Sequence, residues 1–120
     1  MLIRLKHSIQ ALAIPAGSQL NLFPDFAAKT DELALDFDHW LLCCLDNNMI
    51  DNQEAITLLK ELDQYFNDIS GESNADLWTE QELKNRNEWE FVREKAKAIL
   101  VVFGWDLENP PDYKHEYVKA

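Results

Sequence analysis

The stretch DNQEAITLLKELDQYFNDISG, residues 51–71, decides the fold class. Stepped at 100° per residue, Ala55, Leu58, Leu59, Leu62, Tyr65, Phe66 and Ile69 cover one face. Thr57, Lys60, Glu61, Gln64, Asn67 and Asp68 cover the other. A 3.6-residue period of this kind marks an amphipathic helix laid on a core. Asp51 and Glu54 stand at capping-box spacing, which satisfies the free N–H groups of a first turn. Gly71, after Ser70, is the stop, because glycine enters the left-handed region that ends helices.

Working upstream, a second helix is expected from about Thr30, read as its N-cap, with Asp31 and Glu32 at the positive end of the helix dipole. Leu33, Phe37, Trp40, Leu41, Cys44 and Leu45 form a broad stripe, which Leu35 and Leu42 widen, and Asp46-Asn47-Asn48 ends the helix. Only a few residues separate the two helices, so they are expected to form a central antiparallel hairpin. Before them, Leu2, Leu5, Ile9, Leu12 and Ala13 have helical spacing up to Pro15. The short alternation at Ile3 and Leu5 leaves a strand open for residues 2–14. Residues of about 15–29 read as an ordered loop.

Downstream, Glu72-Ser73-Asn74-Ala75-Asp76 reads as a polar loop. Thr79 with Glu82 is a capping box, and Trp78 is placed to staple onto Leu83. The apolar phase then breaks, and Asn87 with Glu90 offers a fresh capping box. A short helix at about 80–85 and a long one at about 88–103 follow. Gly104 ends the long helix, with Trp105 folding back on Leu100. Asn109-Pro110-Pro111-Asp112 stops regular structure. Tyr113, Tyr117 and Val118 suit a tail, at about 105–120, that docks. The expected fold is one all-α domain over residues 1–120, an irregular bundle of four main helices and one short one.

Composition narrows the function classes. With 120 residues, 47% of them hydrophobic and 28% charged, the chain buries a core without disulfides or a metal. Gly17, Gly71 and Gly104 lie too far apart to build a phosphate-cradling loop. Cys43 and Cys44 are adjacent and make no disulfide framework, which suits two reduced thiols. Arg4 and Lys6 precede an apolar run that faintly resembles a signal peptide. The run is short, holds Gln10 and ends at Pro15, so a cytoplasmic location is expected.

The charge is uneven. Twenty-two acids against eleven bases give a net charge of -11. Between Asn21 and Glu82 lie fifteen acids and two bases, Lys29 and Lys60, an excess of thirteen negative charges. The remainder holds seven acids and nine bases. Such a balance opposes binding to nucleic acid or an anionic membrane, which carry the same sign. It suits a partner rich in Lys and Arg, which relieves the self-repulsion and is steered in quickly.

No motif names a reaction. Asp36, His39 and Cys43 share a helical face and are the one candidate trio for a metal, without a second ligand pair at matching spacing. His115-Glu116 lies far off in the tail. Ser8, Ser18, Ser70 and Ser73 occupy no nucleophile elbow. Neither a catalytic residue nor a cofactor is expected.

The leading expectation is a non-enzymatic protein-binding module, an acidic inhibitor or immunity-type protein that covers the cleft of a basic partner such as a nuclease toxin. Small bacterial immunity proteins are similar to it in size and charge only. The expected binding residues are Asp36, Asp46, Glu61, Tyr65, Asp68, Glu72, Asp76 and Trp78, aromatic anchors within an acidic rim. One alternative is a scaffold or regulatory subunit that forms a homodimer through an apolar helix face, which exposed Leu35 and Leu42 favour. A second is a small metal protein or enzyme using Asp36, His39 and Cys43.

Overall fold

The computed structural model describes residues 1–114. The expected Tyr117 and Val118 contacts, and His115-Glu116, lie outside the described residues. The fold of the described residues is all-α: α1 (Leu2–Ala13), α2 (Ala16–Leu20), α3 (Lys29–Asp46), α4 (Gln53–Asp68), a 3₁₀ helix (Glu72–Trp78), α5 (Glu80–Asn85) and α6 (Asn87–Phe103). Residues 2–13 are therefore helix, not strand, and Ile14 caps its end.

The core is built around α1. Leu5, Ile9 and Leu12 are fully buried. The most extensive interfaces join α1 to α6 and α1 to α3, and α4 also packs on α6. Helices α3 and α4 follow one another closely and meet through Phe37 and Phe66, with ring centroids 6.0 Å apart. Trp78 and Trp89 meet edge to face at 5.1 Å, and Phe66 lies beside both. Both indoles are satisfied. Trp89 Nε1 donates to the Leu77 carbonyl at 2.8 Å and Trp78 Nε1 to that of Ile69 at 2.9 Å.

Two segments differ from the sequence reading. The loop at 15–29 contains the one-turn helix α2, because Gln19 is fully buried and caps α1. Its Nε2 donates to the Ala11 and Leu12 carbonyls at 3.0 and 3.2 Å, two acceptors that the helix end leaves open. The polar run after Gly71 winds into the 3₁₀ helix, which puts Leu77 in the core while Glu72, Ser73 and Asp76 stay in water.

Helix starts shift by a residue or two. Thr79 caps α5 as expected, accepting from the Glu82 N–H at 3.2 Å. Helix α4 is capped by Asn52, not Asp51, with Oδ1 accepting from the Ala55 N–H at 3.1 Å. Thr30 lies inside the first turn of α3, since its hydroxyl is taken by the Trp78 carbonyl at 2.8 Å. Asn87 is the first residue of α6, and Arg86 holds the cap position without a side-chain bond to the helix.

The C-terminal end of α6 follows expectation. Gly104 has φ +71°, its N–H donates to the Val101 carbonyl at 3.1 Å, and that of Trp105 to Leu100 at 2.9 Å. This is a Schellman end. Trp105 stacks on Phe103 at 4.0 Å. The tail then docks at Tyr113. Its N–H donates to the Leu22 carbonyl at 2.7 Å, its ring stacks on Phe23 at 4.9 Å, and its hydroxyl donates to Asp36 Oδ2 at 2.9 Å.

Candidate functional site: an acidic groove beside α3

The site begins with the outward face of α3. Leu35 and Leu42 are seven residues apart, two helical turns, and 61% and 57% exposed. Asp31, Asp38 and Asp46 are exposed along the same helix. At the N-terminal end this face runs into an open groove of about 620 Å³. Asp31, Ala34 and Leu35 form one wall. Gly71, Glu72, Ala75 and Trp78 form much of the other. The Thr30 hydroxyl, bonded to the Trp78 carbonyl, ties the two walls together. Gly71 makes the corner between α4 and the 3₁₀ helix at φ +98° and ψ 168°, a conformation open essentially to glycine alone.

The lining is mostly apolar, with Ala34, Leu35, Ala75 and Trp78, and carries two carboxylates, Asp31 and Glu72. A hydrocarbon surface flanked by carboxylates accepts an apolar side chain with a cation nearby, the pattern of an anchor within a charged rim.

Of the expected binding residues, the groove brings together Glu72 and Trp78, with Trp78 half-buried. Asp46 is exposed at the far end of α3. Asp68 is exposed on α4 and accepts from Gln64 Nε2 at 2.9 Å. The others are engaged within the chain. Asp36 accepts from Trp40 Nε1 at 3.1 Å and from the Tyr113 hydroxyl. Glu61 pairs with Lys95 Nζ at 2.6 Å, tying α4 to α6. Asp76 lies 3.7 Å from the Arg86 guanidinium, which also holds Glu82 and Glu88. Tyr65 packs on Phe91 at 4.4 Å in a separate recess with Arg86 and Glu88. Burial, and then the Glu88 charge, push the Tyr65 hydroxyl above its ordinary range.

The metal reading of Asp36, His39 and Cys43 fails on geometry. Asp36 is turned to Trp40 and Tyr113. His39 lies edge-on to Trp40 at 4.6 Å, with Nε2 3.9 Å from Cys43 Sγ. Among the described residues no three His, Cys, Asp or Glu side chains are grouped to hold a metal ion.

Two features escape the sequence reading. Asp31 lines the groove one turn before Leu35, which the sequence marks as exposed on α3 only for self-association, and that four-residue spacing is the signal that joins the two. The second is a carboxyl pair between α3 and α4. Asp63 is half-buried and shares a hydrogen bond with Asp38, and burial followed by that contact raises it to about 6. Periodicity along one helix does not show which residue of another helix it faces.

No helix among the described residues is long and apolar enough to cross a membrane. Comparison with protein-family models, characterised proteins and solved structures gives no match.

Proposed function

We propose that this chain is a non-enzymatic protein-binding module of the inhibitor or immunity type, which covers a basic surface of another protein in the cytoplasm. A nuclease toxin with a cationic cleft is the kind of partner that fits. The observation that carries this reading is the groove between Asp31 and Glu72, with Leu35 and Trp78 inside it. An apolar residue on the partner fills the groove, and surrounding Lys and Arg meet the acids. Inhibition follows from exclusion of the partner's own substrate. The surplus of acid between Asn21 and Glu82 steers encounter.

The test is retention of a basic protein by the tagged chain from native lysate, with salt washes and two charge-matched variants. Asp31→Lys/Glu72→Lys is expected to lose the partner, while Glu54→Lys/Glu108→Lys, exposed and outside the groove, retains it. Equal retention by both variants refutes the groove as the site.

The exposed pair Leu35 and Leu42 favours a second reading, self-association along α3. Salt separates the two. Asp31, Asp38 and Asp46 flank that face, so two copies bring acid against acid and their association strengthens as salt rises. Binding to a basic partner weakens instead.

A further inference from the structure

We infer that a pocket at the corner of α1 and α2, closed by α5 and α6, binds a phosphate group carried by a small molecule. The pocket has a volume of about 350 Å³ and shares no residue with the acidic groove. Lys84, Arg93 and Lys97 line it, with Glu90 the one carboxylate and Pro15 on the apolar side.

Arg93 carries the argument. It is 7% exposed, deep for a guanidinium. Its Nη1 donates to Gln19 Oε1 at 3.0 Å and to the Leu83 carbonyl at 3.1 Å, both neutral acceptors. The carboxylate that faces it among the described residues is Glu90, with Nε to Oε1 at 3.6 Å, and that side chain is 56% exposed. A charge this buried is ordinarily matched by a buried partner of opposite sign. Here the match is a solvated one. Lys84 makes no ion pair and no side-chain hydrogen bond among the described residues. Lys97 pairs with Glu94 at 2.9 Å, an exposed contact of small worth that a stronger anion displaces.

Three cations therefore line a recess holding one solvated carboxylate, in a chain whose net charge is -11. A phosphate dianion supplies the missing charge. It offers the guanidinium several oxygens and gives the two ammonium groups a point charge to approach. The apolar wall of Ala13, Pro15 and Ala16 leaves room for a small uncharged body attached to it.

Calorimetric titration of the whole chain at constant ionic strength tests this, with inorganic phosphate in one arm and adenosine monophosphate in the other. Saturable binding is expected in the ester arm, and binding of inorganic phosphate alone shows that the free ion is the ligand and overturns the small-molecule carrier. Lys84→Glu is expected to weaken binding about tenfold or more, with helicity by circular dichroism unchanged. Lys114→Glu, exposed and outside the pocket, makes the same charge change and is expected to bind as the parent does. Heats equal to those of matched chloride overturn the proposal. So does an equal loss in Lys84→Glu and Lys114→Glu, which makes the effect one of net charge alone.

Discussion

Asp63 holds its proton against the usual order for a carboxylate. Its ordinary value is 3.8, and in the folded chain burial and Asp38 raise it to about 6. The folded state therefore binds this proton more tightly than the unfolded state does. Stability from this group falls as pH rises from about 4 through about 6, and the penalty is complete above that window. Asp63→Asn removes the charge and keeps a donor for Asp38. It is expected to raise stability by about 1 kcal/mol at pH 7, discounted for the partial exposure of the site, and by nothing near pH 3.5. Urea denaturation at the two pH values measures it, and an equal gain at both would show that packing, not ionisation, sets the effect. At this scale the sequence is legible where a bond is local. Thr79 is recognised as a cap because its acceptor and the Glu82 N–H are three residues apart. Thr30 is misread because its hydroxyl answers to Trp78, forty-eight residues away.

The elements were largely readable, since four long helices carry a strong 3.6-residue period. The exceptions are α2 and the 3₁₀ helix, each too short to establish a period and each held by a distant tie, Gln19 to α1 and Leu77 to Trp89. The groove was half legible for the same reason. Glu72 and Trp78 stood out by type, whereas Asp31 and Leu35 became part of it only once the 3₁₀ helix had folded against α3. The two glycine corners are expected to differ in cost. A Cβ at either position meets nothing within 4 Å, so the penalty is backbone alone. Gly104 sits in the left-handed helical region, where Gly104→Ala costs about 1 kcal/mol. Gly71, at φ +98° and ψ 168°, lies where other residues seldom go, and Gly71→Ala costs about 2 kcal/mol. Chemical denaturation of the two variants checks that order.

For the whole molecule, the decisive quantity is the net charge of -11 and its concentration between Asn21 and Glu82. The ion pairs of the structure neutralise little of that segment. Glu61 reaches Lys95, and Asp76 and Glu82 reach Arg86, while Asp31, Asp46, Asp51, Glu54, Asp68 and Glu72 remain exposed. The melting temperature is therefore expected to rise by a few degrees between about 20 mM and about 500 mM sodium chloride, as the Debye length falls below the spacing of the acids. A flat or falling dependence would mean that the ion pairs outweigh the repulsion. Composition alone exposes this property, because total charge needs no knowledge of which residues meet. It does not show that three of the basic residues gather in one recess, which depends on how α1, α5 and α6 come together.

The central place of α1 also bears on the order in which the molecule takes shape on the ribosome. This helix is synthesised well before α6, which begins at Asn87, yet its most extensive interface is with that helix. Until α6 emerges, Leu5, Ile9 and Leu12 have only part of their cover. The closing step joins segments separated by most of the described chain, a loop whose entropy slows folding. A nascent chain halted before α6 thus presents an unpaired leucine-rich surface, the form in which this sequence is most open to capture by chaperones or to aggregation.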